Sequence, residues 1–142
     1  MTDCIFCQIV ARDAPSEIVA ENDRAIAVMD VNPASDGHTL VISKTHADDI
    51  WQLGADDGTA MWSLVSDVAR AVRDGLRPDG LTLFQANRRA GWQDVFHFHL
   101  HLVPRWEGDA LVKPWTSEDY RRDGIATAAA AIRSSVDRAN PS

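Results

Sequence analysis

The stretch His97-Phe98-His99-Leu100-His101-Leu102-Val103 alternates imidazole and apolar side chains without a break. Successive side chains of an extended chain point to opposite faces, so this pattern predicts a β-strand, taken as 95–103 and followed by Pro104. On that strand His97, His99 and His101 share one face, with Cα atoms about 6.5–7 Å apart, while Phe96, Phe98, Leu100 and Leu102 share the other. The apolar face is explained as core. The histidine face is not, because three imidazoles in a row pack no better than Val or Thr, and the chain has only five histidines in all.

Two chemistries suit such a face. Imidazoles at i and i+2 can ligate one metal ion. A neutral imidazole, with a reference pKa of about 6.5, is also a usable nucleophile at neutral pH. Attack on phosphorus forms a P–N bond that water can later cleave, and flanking histidines can hold the phosphate oxygens and fix the tautomer of the attacking ring.

The remaining chain predicts what carries this strand. Residues 17–20 and 25–29 read as a hairpin across Glu21-Asn22-Asp23-Arg24, and 38–42 as a third strand after the Pro- and Gly-punctuated loop 32–37. From Ala55 to Gly75 the period becomes helical, with Met61, Leu64, Val65, Val68, Val72 and Leu76 on one face and Gly75 or Pro78-Asp79-Gly80 as the stop. Residues 81–86 read as a strand. A last helix runs from Thr116 or Ser117, as N-cap, toward Ala139, with Ile125, Ala129, Ile132 and Val136 facing a core. Segregated elements and short loops predict an α+β fold with an antiparallel sheet of about five strands and two main helices.

A chain of 142 residues, 45% apolar and 25% charged, suits one domain spanning 1–142. A formal charge of −7 argues against a nucleic-acid or anionic-lipid partner. No apolar run approaches a membrane span, and Met1-Thr2-Asp3 does not open a secretory signal, so a cytoplasmic location is expected. Cys4-x-x-Cys7 leaves three readings: a redox pair, for which only three residues precede Cys4; two unrelated buried thiols; or half of a tetrahedral zinc site.

The histidine run resembles the signature of the histidine triad (HIT) superfamily. Cys4-Ile5-Phe6-Cys7-Gln8-Ile9-Val10 is similar to the family's N-terminal segment, and Ala27-Val28-Met29-Asp30-Val31-Asn32-Pro33 to its ribose-binding strand and loop. Gly37-His38-Thr39-Leu40-Val41-Ile42, with Lys44 and His46, matches in order. So does Gly91-Trp92-Gln93-Asp94-Val95-Phe96, leading into the triad, and Pro104-Arg105 after it has a bacterial-type look. The resemblance covers residues 4 to 115.

The resemblance implies a nucleotide hydrolase or transferase, usually a homodimer, that releases a nucleoside monophosphate and needs no cofactor for the chemical step. His99 would attack the α-phosphorus, His101 would contact the phosphate, His38 would complete the set and His97 would support it. Asp30 would accept the ribose hydroxyls, and Gln93 would lie near the phosphate or leaving group. Phe6, Ile26 and Val31 would wall a purine pocket. Ala86 stands where many relatives carry a polar residue, which moves that role to Asn87. Arg88, Arg89 and Trp92 occupy a loop where glycine is common; the arginines either reach a polyphosphate tail or are solvated, and solvated arginines are the expectation there. Bacterial-type members complete a zinc site with the histidine after the Lys and with the first triad histidine, here His46 and His97 beside Cys4 and Cys7. Adenosine phosphoramidates and dinucleoside polyphosphates both stay open as substrates. The rival reading is a nucleotide-binding or scaffold protein with little turnover.

Overall fold

The strand that bears the histidines lies inside a five-stranded antiparallel sheet, not at its edge. The computed structural model describes residues 3–114 and 116–139. β1 (Ile18–Glu21), β2 (Ala25–Met29), β3 (Thr39–Ser43), β4 (Gly80–Phe84) and β5 (His99–Arg105) stand in the order β1-β2-β3-β5-β4. This is the expected sheet, packed by α2 (Ala55–Leu76) and the short helix α1 (Ile5–Val10); the second main helix, α3 (Ile125–Ala139), belongs to the C-terminal part of the chain.

The two faces of the sheet are covered differently. On one, Ala25, Ala27, Val41, Phe98 and Leu102 pack with Met61, Leu64, Val65, Val68 and Val72 of α2. The short side chains of the two alanines leave room for the helix. On the other face Ile26, Val28, Leu40 and Ile42 are covered by Phe6 and Ile9 of α1. Register places Leu40 opposite His101 and Ile42 opposite His99, so those two imidazoles continue this second apolar face toward β4. The short helix α1 escapes a periodicity reading because its six residues give fewer than two turns.

α2 ends through Arg77, in the left-handed conformation at φ 54°, not through Gly75, and Pro78 blocks any continuation. Leu76, the last residue of the expected stripe, is half-exposed. Asp57 in the first turn of α2 accepts from Arg24 Nη1 at 2.9 Å, and Asn22 Nδ2 donates to the Ala60 carbonyl, so the β1–β2 turn is fastened to the helix.

β5 corrects the sequence reading at both ends. It starts at His99 rather than residue 95 and continues through Pro104 to Arg105. Pro104 is tolerated because β3 pairs with β5 only as far as Leu102, so past that point β5 bonds to β4 alone. Ser35 Oγ donates to the Pro104 carbonyl at 2.7 Å and ties the loop before β3 to this end of the strand. Residues 95–97 bend ahead of the strand, so Phe96 is exposed instead of joining the core face, while Phe98 is buried.

The chain divides into two compact units, Met1–Asp109 and Ala110–Ser142. In the second, Thr116 forms a capping box with Asp119 on a single 3-10 turn, Ser117–Asp119, and not on the long helix. α3 begins only after Gly124, and its expected inward residues Ile125, Ile132 and Val136 are exposed rather than part of a core.

Phe98→Ala is expected to cost about 3–5 kcal/mol in urea unfolding, as a large side chain lost from a packed core. Phe96→Ala should stay within about 0.5 kcal/mol, as exposed positions do.

Candidate active site

Sheet register and one loop bring four of the five histidines into a line. His99 and His101 project from β5, His97 stands just before it, and His38 enters β3. All four are buried, His97 completely. His99 is thus packed within the protein and not, as the alternation suggested, on a face pointing away from a core: its ring meets Phe6 edge-on at 4.9 Å.

The hydrogen bonds fix the tautomers. The Ala34 amide donates to His38 Nδ1 at 3.0 Å, so the His38 proton sits on Nε2. That Nε2 lies 2.9 Å from His101 Nδ1 and donates to it, which leaves His101 with its proton on Nε2. His99 Nδ1 lies 2.7 Å from the His97 carbonyl, which can only accept, so His99 carries its proton on Nδ1 and a lone pair on Nε2. A lone pair on one ring therefore stands beside an N–H donor on the next, with ring centres 4.9 Å apart.

Burial keeps these rings neutral. It pushes His38 and His99 below the usual imidazole range. His101 is pushed down to about 4, first by burial and then by neighbouring His99 and His38. The ring of Phe84, directly opposite His101 on β4, stacks on it at 4.0 Å and 9°. The sequence reading passed over Phe84, although antiparallel pairing of its strand with β5 is the signal that could have found it.

The other expected residues are placed as follows. Asp30 directly follows β2, with Oδ2 3.4 Å from His38 Nε2 and Oδ1 accepting from the Asn32 amide. Phe6 and Ile26 are buried in the second apolar face, whereas Val31 is 85% exposed. The Asn87 side chain is engaged by Gln85 and by the Ile50 amide. Gln93 is buried, accepting from the Arg88 amide at 2.6 Å and donating to the carbonyls of Asp48 and Val95. Arg88 and Trp92 hold positive φ angles of 62° and 71°. Arg88 is not simply solvated: its Nε donates to the buried Asp49 at 3.1 Å, and its guanidinium lies 4.6 Å from the Trp51 ring centre.

Cys4, Cys7, His46 and His97 form a second cluster whose ligand atoms all lie within 4.8 Å of one another. His97 Nε2 donates to the Ser43 carbonyl at 2.6 Å, and His46 Nε2 to Asp48 at 2.8 Å. Both acceptors lack a proton, so the two Nδ1 atoms face each other at 3.1 Å with lone pairs on both. Each is 3.3 Å from a cysteine sulfur. Ligands at 2.0–2.3 Å around a tetrahedral ion lie roughly 3.3–3.8 Å apart. The donor set and its spacing fit a zinc ion, and Ser43 and Asp48 supply the outer hydrogen bonds that hold such ligands in place.

A five-stranded sheet with neutral imidazoles lined along one face defines a histidine-triad protein. The chain belongs to the family of the HIT domain, whose model matches residues 11–108. It is 35% identical over 133 residues to "Protein hit" of Bacillus subtilis, covering 92% of each chain. It is 34% identical over 123 residues to "Adenylylsulfatase HINT3" of Arabidopsis thaliana, covering 87% of this chain and 61% of that one. A crystal structure of a zinc-bound histidine triad family protein from Mycobacterium smegmatis superimposes with a TM-score of 0.74 at 34% identity, over 97% of this chain and 98% of the other.

The depressed His101 pKa makes a pH prediction. Above about pH 6.5 the ring is neutral whether folded or unfolded. As pH falls toward 4 the unfolded chain takes up a proton that the folded one refuses, so stability drops. The loss from this ring is of the order of 3 kcal/mol. Urea unfolding at pH 7 and 4.5 should show a clearly smaller pH-dependent loss in His101→Asn than in the unmodified protein.

Proposed function

We propose that this protein is a nucleotide hydrolase or transferase that acts at the α-phosphorus through a His99–nucleotidyl intermediate. The observation that carries the reading is the His99 Nδ1 hydrogen bond to the His97 carbonyl, which leaves the Nε2 lone pair beside the His101 N–H. The Nε2 pair forms a bond to phosphorus, and the bond from phosphorus to the leaving group breaks with its electrons going to the leaving atom. The His101 Nε2–H donates to a phosphate oxygen as negative charge builds there. Water then attacks phosphorus and loses a proton to solvent, the P–N bond returns its pair to Nε2, and a nucleoside monophosphate departs.

Asp30 is assigned to the ribose hydroxyls, which two carboxylate oxygens accept well. Phe6, Ile26 and Val31 are assigned to a purine base, and Asn87 and Gln93 to holding the loops around the phosphate. An adenosine phosphoramidate or a dinucleoside polyphosphate is the substrate. The adenylylsulfatase name of one relative supports chemistry at an adenylyl group. Cys4, Cys7, His46 and His97 are assigned to a structural zinc that joins the N-terminal segment to the triad and takes no part in the chemical step. The working form is a homodimer, for which the open edge of β4, with half-exposed Leu83 and Phe84, gives support. No helix among the described residues is long and apolar enough to cross a membrane, in keeping with the cytoplasmic setting this reading assigns.

Incubation with adenosine phosphoramidate and with diadenosine polyphosphates should release AMP. His99→Ala should lower kcat at least about 10³-fold, since nucleophile losses are of that order, and trapping in alkaline denaturant, which preserves the acid-labile P–N bond, should find nucleotide on the unmodified protein and none on the variant. Binding without turnover, unchanged in His99→Ala, would instead establish the scaffold reading. Metal analysis of protein purified without chelator should find one zinc per chain. Cys7→Ser should lower zinc content and Tm together.

A further inference from the structure

Asp94 stands at the mouth of the site, and nothing so far gives it a role. Its Oδ1 lies 3.8 Å from His99 Nε2, the atom that carries the lone pair. The same oxygen accepts from the Val95 amide at 2.8 Å, so the carboxylate is pinned in place. His99 is buried while the Asp94 side chain is 78% exposed. Other sides of the His99 ring are taken by Phe6, by His101 and by the His97 carbonyl. The Asp94 side is therefore the solvent side, along which a leaving group departs.

A fixed anion is an unexpected neighbour for a phosphate site. Like charges close together repel, and the repulsion grows with the number of charges on the departing group. Arg88 of the same loop does not cancel it, because its guanidinium is paired with Asp49 and not with Asp94. The group that tolerates this position is one that leaves as an amine.

Resting on the nucleotidyl-transfer reading above, we propose that Asp94 is a specificity-determining residue that selects amine leaving groups over polyphosphate ones. As His99 Nε2 bonds to phosphorus, the P–N bond to the amine breaks and its electron pair stays on the amine nitrogen. That nitrogen takes a proton from solvent water on the open side, the hydroxide left being neutralised by the proton released when water later cleaves the His99 P–N bond, and Asp94 accepts a hydrogen bond from the resulting N–H. A departing nucleoside polyphosphate offers only anionic oxygens to the same carboxylate and is repelled. The substrate class is then a nucleoside phosphoramidate.

The test is Asp94→Asn, which keeps the shape and removes the charge at an exposed position. The kcat/KM ratio of adenosine phosphoramidate to diadenosine tetraphosphate is measured without added divalent cations. The variant should shift it toward the polyphosphate by about tenfold, and added salt should shrink the difference between the two proteins. A ratio unchanged within about twofold overturns the role of Asp94, and equal loss on both substrates does the same. Neither touches the His99 reading, which is decided separately by comparing wild type with His99→Ala. Binding in the His99→Ala background reads the proposal independently of turnover. There Asp94→Asn should tighten diadenosine tetraphosphate several-fold while leaving the phosphoramidate unchanged or weaker, and equal affinities would overturn it.

Discussion

His97 is the hinge of the whole arrangement, and it acts through three separate groups. Its carbonyl accepts from His99 Nδ1 and so decides which nitrogen of that ring is free. Its Nε2 is fastened to the Ser43 carbonyl at the end of β3. Its Nδ1 lies among Cys4, Cys7 and His46. A shift of this residue would alter the tautomer of His99, the spacing of β3 against the start of β5 and the thiol–imidazole cluster at once. Its complete burial is the physical counterpart of that role, since a buried side chain with every ring nitrogen engaged has no second arrangement of similar energy.

The sheet serves two purposes because its faces differ. The face under α2 is apolar and supplies stability. The opposite face passes from aliphatic residues on β2 and β3 to imidazoles on β5 and then to Phe84 on β4. Phe6 and Phe84 bracket the imidazole pair, one edge-on and one stacked. This apolar packing is what depresses the imidazole pKa values, because the water lost by the charged form outweighs the attraction of Asp30 and Asp94. The same burial that costs stability in acid keeps the rings neutral and leaves a lone pair on His99 Nε2.

Much of this was legible in the sequence, for stated reasons. Period-two and period-3.6 patterns located the strands and α2, since each buries one face along most of its length. The strand boundaries failed at Phe96 because alternation persists in sequence through a bend that no residue type announces. The long C-terminal helix was overextended toward Thr116 since a capping box looks the same before a 3-10 turn as before an α-helix. The site residues came from motif resemblance; in the structure His38, His99, His101, Asp30 and Phe6 lie within one cluster. Phe84 lay outside every motif, and Asp94 lay inside one without being given a role. One is placed by strand register and the other by a backbone hydrogen bond, and neither can be read one residue at a time.

The bond from Ser35 to the Pro104 carbonyl closes a small circuit. The segment between β2 and β3, which bears Asp30 and His38, is clamped to the far end of the very strand that bears His99 and His101. Asp30, His38, His99 and His101 thus belong to one frame whose alignment predates any visitor. What must still be organised on arrival is the visitor's own torsions, so discrimination should fall on how well a molecule is already bent to this frame.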